Sequence, residues 1–368
     1  MKYSVVLPCK DEEKTIGICI KKIQKALPEA EIIVVDNNSK DTSSSIAGKL
    51  GARVVREERQ GYGAALLRGF KEAKGECVIM GDADDTYDFL ELPKLVKHAD
   101  KYDIVIGNRL NGKMKKNAMP FLHRYIGNPG LSWMLRKFFK VNVRDAHSGF
   151  RAIKKKSFEK LSLKTKGMDF VSEMIIRASK QDMKIKEVPI TYHPRKGESK
   201  LSTFKDGWKY LRLMLLYSPS HLFLVPGISL FVLGILIIGF LMTGPLRLNG
   251  VTLETHPVFI GSLLTITGYQ VIMLWLYSKA YSTTHLGERD KSMDFVNKHF
   301  TLEKSIMLGI TILLAGLALN AYILTKWVQA GFGELEEIKT GVLGLTLIVI
   351  GVQTIFSGFY VSMTGMKQ

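Results

Sequence analysis

The segment Val78-Ile79-Met80-Gly81-Asp82-Ala83-Asp84-Asp85-Thr86-Tyr87-Asp88 sets an apolar run directly before three carboxylates in four positions. A run of that length, bounded by Gly81, predicts a buried strand whose carboxyl end reaches solvent at Asp82, Asp84 and Asp85. Like charges so close repel one another unless a cation or solvent relieves them, and the segment therefore points to metal-assisted chemistry. A solvated acidic turn is the competing reading.

Around this strand, hydrophobic periodicity predicts further strands over residues 3–7, 31–35, 53–55 and 103–107, alternating with helices over 16–27, 42–50, 63–74 and 90–98. The alternation gives an α/β domain with a largely parallel sheet, whose ligands belong at the carboxyl ends of the strands. Asp11, Glu12 and Glu13 follow the first strand and Asp36 follows the second, so all face that edge. Asp36 suits a nucleobase or ribose hydroxyl, whereas Ser39 or Asp41 in the same turn can cap the next helix. Glu173, on a helix beside apolar residues, is a secondary cleft candidate. Neither Gly-x-Gly-x-x-Gly nor Gly-x-x-x-x-Gly-Lys-Ser/Thr occurs, which removes the main support for dinucleotide redox chemistry and P-loop hydrolysis. Gly61-Tyr62-Gly63 reads first as a structural turn.

Charge and hydropathy divide the 368 residues near Pro219. Residues 1–220 hold 43 Lys and Arg against 26 Asp and Glu, and the remainder holds 9 against 8. Apolar runs at 222–242, 258–281, 305–325 and 342–362 are each long enough to cross a hydrocarbon core of about 30 Å. The expected organisation is a front domain over 1–220 and four membrane spans over 221–368. Arg289, Lys291, Lys298 and Lys304 lie between the second and third spans, while 243–257 holds only Arg247 and 326–341 only Lys326 and Lys339. That bias predicts a multi-pass cell-membrane protein with the front domain and both termini in the cytoplasm. The chain opens on a strand rather than a signal-like segment. Cys9, Cys19 and Cys77 lack Cys-x-x-Cys spacing, so a disulfide or zinc site is not expected. Phe204, Trp208, Leu211, Leu215 and Leu216 recur at helical spacing among Lys205, Lys209 and Arg212, as in an interfacial helix before the first span. The alternative is a helix that packs against its own domain.

Six segments together carry a family resemblance: Val5-Val6-Leu7-Pro8-Cys9-Lys10-Asp11-Glu12-Glu13, Val34-Val35-Asp36-Asn37-Asn38-Ser39-Lys40-Asp41-Thr42, Gly81 to Asp88, Gly107-Asn108-Arg109, Ser148-Gly149-Phe150-Arg151, and Arg195-Lys196-Gly197-Glu198-Ser199-Lys200. Over residues 1–220 the chain resembles the family 2 nucleotide-sugar glycosyltransferases, more narrowly the membrane-associated synthases of dolichyl- or polyprenyl-phosphate sugars. The resemblance implies a GT-A-like α/β nucleotide-sugar transferase domain followed by an all-α transmembrane domain. It aligns Asp82 and Asp84 with the family's metal and nucleotide-sugar motif. Asp84 becomes the first metal ligand, with Asp82 and Asp85 as further candidates, and Mg²⁺ or Mn²⁺ suits such oxygen donors. The family's metal-contacting Gln two positions on is replaced by Thr86. Pro8, Asp11, Glu13 and Asp36 fall in the nucleotide-sugar segments. Arg109, Arg124, Arg151, Arg195, Ser199 and Lys200 become candidates for the acceptor phosphate, with Arg151 and Lys200 also placed in catalysis. His147 is not taken as a base, since a lipid phosphate already presents an anionic oxygen.

The implied reaction is inverting transfer of a hexose to dolichyl or another polyprenyl phosphate. UDP-glucose is the provisional donor, ahead of GDP-mannose and UDP-N-acetylglucosamine. A processive polysaccharide synthase is disfavoured because no Gln-x-x-Arg-Trp motif occurs. A sugar-nucleotide-binding membrane module without transferase activity is the alternative of a different class. The expected partners are the nucleotide sugar, the polyprenyl phosphate and the bilayer, with room for a homo-oligomer. The basic front domain lacks a nucleic-acid-binding module, so no specific nucleic-acid partner is expected.

The loop charges make a direct prediction. Single cysteines at Gly250, Ser292, Leu335 and Lys367 should label from outside, inside, outside and inside in intact cells. A repeated contrary pattern would reverse the orientation.

Overall fold

Apolar residues on consecutive positions make strands β1 (Tyr3–Cys9) and β2 (Glu31–Asp36), which lie parallel with Pro8 beside Val35 and Cys9 beside Asp36. Both are buried on both faces, as parallel strands covered by helices must be. Helix α1 (Ile16–Ala26) joins them and buries Ile16, Cys19, Ile20 and Ile23, one stripe at helical spacing. In order there follow α2 (Ser43–Lys49), β3 (Arg53–Arg56), α3 (Tyr62–Glu72), β4 (Cys77–Met80), α4 (Leu92–Ala99), β5 (Ile104–Asn108), α5 (Asn128–Phe139), β6 (Arg151–Lys154), α6 (Lys155–Leu161), α7 (Phe170–Lys180), β7 (Ile185–Pro189) and α8 (Thr203–Leu216). This computed structural model describes residues 2–196, 203–248, 251–285, 293–294, 296 and 301–365. By internal contacts the chain divides into Met1–Tyr217 and Ser218–Gln368.

The seven strands of the first unit are ordered β3-β2-β1-β4-β6-β5-β7. All are parallel except β6, which runs antiparallel between β4 and β5. That single reversal brings the start of β6, at Arg151, to the edge where β4 and β5 end. One core lies on the α1 and α4 face and includes Leu7, Ile20, Ile79, Phe89 and Phe150. The other includes Val6, Met80, Leu135, Phe170 and Met174. The expected strands and helices fall within about two residues of those observed. Asp36 is the last residue of β2 rather than the first beyond it.

Helix α8 packs one face against its own domain. Leu213 and Met214 are buried in the second core, while Trp208 and Leu216 stay exposed. The three cysteines are free and buried, and burial pushes all three thiols upward, to about 12 for Cys9 and Cys77. None is a reactive thiolate at neutral pH.

The second unit has four helices long and apolar enough to cross a membrane: α9 (Val225–Met242), α10 (His256–His285), α11 (Leu302–Gln329) and α12 (Ile338–Gly365). A π-helical turn over Ser220–Leu224 leads into α9, and a short antiparallel pair, Leu246–Leu248 with Val251–Leu253, separates α9 from α10. Nothing in the sequence reading anticipated that pair.

Glycines let the helices approach within each hairpin. A Cβ on Gly234 would stand 2.6 Å from Gly261 O, and one on Gly268 would stand 2.8 Å from Gly227 O. In the second hairpin the corresponding approaches are Gly316 to Gly344 O at 2.7 Å and Gly309 to Gly351 O at 2.8 Å. Each hairpin thus closes at two glycine crossings, the close-packing device of helices in lipid. Between hairpins, α10 and α12 meet through hydroxyl pairs: Ser262 with Thr346, Tyr269 with Thr354, and Tyr277 with Ser357, each at 2.6 Å.

Gly316→Ile should therefore lower thermal stability in detergent by about 1–3 kcal/mol, the usual cost of forcing bulk into a packed contact. Gly239→Ile, where an added Cβ meets nothing within 4 Å, should leave the melting temperature unchanged. Equal melting curves for the two variants would refute the glycine crossings.

Candidate active site

The parallel strands end on one edge, and there β1, β2, β4 and β5 deliver Lys10 to Glu13, Asp36, Asp82 to Asp85 and Arg109. Segment 145–151 leads into β6 and segment 190–196 leaves β7, so both arrive at the same place. The geometry sorts these residues into a carboxylate pair, a frame that holds it, and cations that reach it.

Asp82 is held by Tyr62, whose hydroxyl donates to Oδ1 at 2.8 Å. Tyr62 reaches that position because the first turn of α3 lies against loop 165–167. Gly63 N donates to Gly167 O, and Ala64 N donates to Lys166 O. A Cβ on Gly63 would stand 2.5 Å from Thr165 O, and Gly61 has φ +145°. The structural reading of Gly61-Tyr62-Gly63 is therefore right about its glycines, but the tyrosine between them is a site residue that the sequence reading passed over. Gly149 lies equally close: a Cβ there would be 3.1 Å from Asp82 Oδ1. Burial, with Asp84 as the next cause, pushes the Asp82 carboxyl up to about 7, against the hydrogen bond from Tyr62.

Asp84 is buried, and its Oδ1 accepts from Thr86 N at 3.1 Å and Thr86 Oγ1 at 2.6 Å. Thr86, where the family resemblance expects a glutamine, orients the carboxylate through its hydroxyl. The other oxygen, Oδ2, lies 3.4 Å from an Arg195 guanidinium nitrogen, and Arg195 also donates to Glu12 at 2.7 Å. Glu12, placed by the sequence at the ligand edge without a role of its own, is the acidic residue of the β1 loop that faces this cation.

Asp85 is placed differently from its neighbours. It has φ +61°, and its two oxygens pair with Lys22 at 2.7 Å and Lys196 at 2.6 Å. Those hydrogen bonds hold its carboxyl below the ordinary range despite the opposing effect of burial. With both oxygens in ion pairs, Asp85 is an anchor for α1 and the post-β7 segment rather than a metal ligand. Among the described residues no three His, Cys, Asp or Glu side chains gather as a metal cage. Asp82 and Asp84 nevertheless fit a divalent cation, because two carboxylates at one strand end, of which Asp82 is raised by burial and then by the charge of Asp84, are relieved by positive charge. Mg²⁺ in particular uses one or two carboxylates and takes its other oxygens from substrate phosphates and water.

Two predicted phosphate ligands turn out to be parts of the frame. Arg151 is fully buried and donates to Ser148 O, Val171 O and Ala146 O, so its guanidinium faces backbone carbonyls and cannot turn to a phosphate. Arg109 is also buried, donates to both oxygens of Asp145 at 2.8–2.9 Å, and lies over the Tyr192 ring. Glu173 likewise leaves the cleft: it accepts from Lys164 N, Thr165 N, Arg177 and Tyr217, and so fixes the loop that supports Tyr62. Burial, followed by nearby Arg109 and Arg151, drops His147 to about 3, despite the opposite pull of Asp145, which makes it too weak a base for this chemistry.

The nucleotide-side candidates also divide. Asp11 accepts from Lys40 N, and Glu13 accepts from Thr42 N and Oγ1, so both tie the β1 loop to the β2 loop. Asp41 accepts from Ser43 N at the start of α2 and from Glu13 N, the capping reading. Asp36 accepts locally from Ser39 N through Oδ1, at the end of β2. Pro8 contributes backbone within β1.

Arg124 stands apart, on a π-helical turn over His123–Gly127 that leads into α5. Its guanidinium lies over Tyr125, which packs on Phe121 (72% exposed), and Ile126 and Trp133 are exposed on the same helical stretch; exposed Lys113, Lys115 and Lys116 precede it in the chain. Ser199 and Lys200 lie outside the described residues.

Residues 4–162 match glycosyl transferase family 2, and residues 276–365 match the family 2 C-terminal transmembrane region. The low-salt glycan biosynthesis hexosyltransferase of Haloferax volcanii is 37% identical over 98% of this chain and 89% of its own length. The dolichyl-phosphate hexose transferase of the same organism is 34% identical over 55% of this chain and 88% of its own. Glucosyl-3-phosphoglycerate synthase from Mycobacterium tuberculosis, solved with Mn²⁺ and UDP, is 23% identical over 59% of this chain and 78% of that one, with a TM-score of 0.47.

The raised Asp82 carboxyl has a measurable sign. Folded Asp82 keeps its proton to about pH 7 while unfolded Asp82 loses it near the ordinary value, so rising pH through that window destabilises the metal-free fold. Thermal unfolding without divalent cations should show Asp82→Asn more stable than the wild type at pH 8, with the gap closing toward pH 4. A gap that is constant across that range would exclude the buried carboxyl as its source.

Proposed function

The chain belongs to glycosyltransferase family 2, and on that premise we propose that it transfers a hexose from a nucleotide sugar directly to the phosphate of dolichyl or another polyprenyl phosphate, with inversion at the anomeric carbon. The observation that carries this reading is the Asp82 and Asp84 pair at the strand edge, faced by Arg195. Anionic side chains with a cation beside them suit a pyrophosphate whose charge is neutralised as it departs. A divalent cation bound there would supply that neutralisation.

The chain's own residues hold the parts in place. Tyr62 and Thr86 fix the orientation of the two carboxylates before substrate arrives, so little reorganisation accompanies reaction. Asp36, at the end of β2, is assigned to the nucleoside. A lipid phosphate oxygen forms the new bond to the anomeric carbon as the bond to the nucleoside diphosphate breaks, and the electron pair leaves with the diphosphate. The attacking oxygen is already anionic, so no side chain removes a proton from it.

The acceptor is assigned to Arg124, Arg195 and the Ser199 to Lys200 segment. Arg124 lies on a helical stretch with exposed apolar side chains, which suits a molecule with a phosphate head and a hydrocarbon tail. UDP-glucose stays the provisional donor, on the resemblance of the Gly81 to Asp88 segment. The catalytic unit is assigned to the cytoplasmic side on the loop charges.

Purified protein should be incubated with UDP-glucose, GDP-mannose and UDP-N-acetylglucosamine against one polyprenyl phosphate, with product configuration read by NMR. One donor should give an inverted lipid-phosphate sugar, and Asp84→Asn should slow it by about 10²-fold or more while the protein stays folded. Arg124→Ala should raise KM for the lipid more than for the donor. Retained configuration, or full activity in folded Asp84→Asn, would overturn the proposal; preference for GDP-mannose would change only the donor.

A further inference from the structure

Glu173, in the first turn of α7, is buried, and its carboxylate is shared between two groups of donors. Oε2 accepts from Lys164 N at 3.0 Å, from Thr165 N at 2.8 Å and from the Thr165 hydroxyl. Oε1 accepts from Arg177 Nε at 2.8 Å and from the Tyr217 hydroxyl at 2.9 Å. Arg177 closes the second group, since its Nη2 donates to the Tyr217 oxygen at 3.0 Å and its guanidinium lies over the Tyr217 ring. An ionised carboxylate accepts on both sides at once, which an amide in its place does not. Against burial, the bonds from Thr165, Lys164 and Tyr217 hold this carboxyl below the ordinary range, so it stays charged. Burial, and then Glu173, raises the Tyr217 phenol, which therefore stays a donor.

Tyr217 directly follows α8, is partly buried against the second core, and is the last residue of the first unit. From it, contacts run in series to the strand edge. Glu173 joins it to residues 164 and 165, and the next two residues, Lys166 and Gly167, accept from Ala64 N and Gly63 N. Tyr62, in that same first turn of α3, donates to Asp82. We propose that Tyr217 is a positioning residue for the carboxylate pair, acting through Glu173, loop 164–167 and Tyr62 to hold Asp82 in place. Removing its hydroxyl breaks no bond to Asp82 or to α3, so any effect there has travelled along the series. A side chain that merely braced α7 against α8 would act differently: its loss would lower the melting temperature and leave the start of α3 as it was. The consequence for catalysis rests on the transferase reading of Asp82, whereas the linkage itself does not.

The test uses the full chain in detergent. Tyr217→Phe, followed by hydrogen exchange and mass spectrometry, should speed exchange of the Gly63 and Ala64 amides by about tenfold, the equivalent of one hydrogen bond. Exchange in α1, which packs elsewhere in the same unit, should stay unchanged and so exclude global loosening. In the transfer assay kcat should fall by about tenfold with both KM values kept, the usual cost of losing a group that supports a reactive one from behind. In a Tyr62→Phe background, Tyr217→Phe should change kcat by no more than about twofold, because the hydroxyl through which it acts is gone. Unchanged exchange at Gly63 and Ala64, equal acceleration in α1, or losses that multiply in the double variant would each overturn the proposal. The exchange measurement needs neither substrate nor cation, so it decides the linkage by itself. Failure of the transferase reading shows separately, as full activity in folded Asp84→Asn.

Discussion

Two carboxylates side by side at the end of a buried strand impose the constraint on which the catalytic unit depends. Asp82 and Asp84 repel each other, and the surrounding side chains are arranged to hold them together. Tyr62 and Thr86 each donate to one of the pair, and Arg195 approaches from the segment after β7. Behind them is a second tier. Arg151 draws together the carbonyls of residues 146, 148 and 171, and Asp145 pins Arg109, so buried charge is paired or hydrogen-bonded throughout. Glu173 fixes the loop against which α3 begins, and through that loop determines where the Tyr62 hydroxyl points.

The first five strands and the edge that carries the site were legible because parallel strands read as continuous apolar runs and their loops follow directly, whereas β6, β7 and the strand order with its one reversal were not. Asp82, Asp84 and Asp36 were legible for the same reason, each coming at or just after a strand end. The buried arginines were not. Arg109 and Arg151 sit in segments that look like phosphate ligands, and the sequence does not reveal that Asp145 and a set of backbone carbonyls have claimed them. Asp85 misled in a similar way: three acidic residues in a row of four suggest one function, but a positive φ turns the third toward two lysines. Glu12 and Tyr62 were hidden inside motifs whose neighbours attracted the assignment.

The membrane unit shows the same limit from the opposite direction. Span number and approximate length follow from hydropathy alone, since a continuous apolar segment that crosses lipid satisfies its own backbone hydrogen bonds as a helix. How the spans pair does not, because an apolar face in lipid has no preferred direction. Pairing is decided by glycines and hydroxyls, and those residues are few within long apolar stretches.

The two kinds of contact also differ in how far apart their partners lie along the chain. Glycine crossings join α9 to α10 and α11 to α12 across one short connection each, whereas the hydroxyl pairs join residues 80 to 85 positions apart. Contacts that close a short loop carry little entropic cost and form early, while those across a long one form late. Each hairpin can therefore mature as a unit when it enters the bilayer, and the seam of hydroxyls between them is the last part of the bundle to be made.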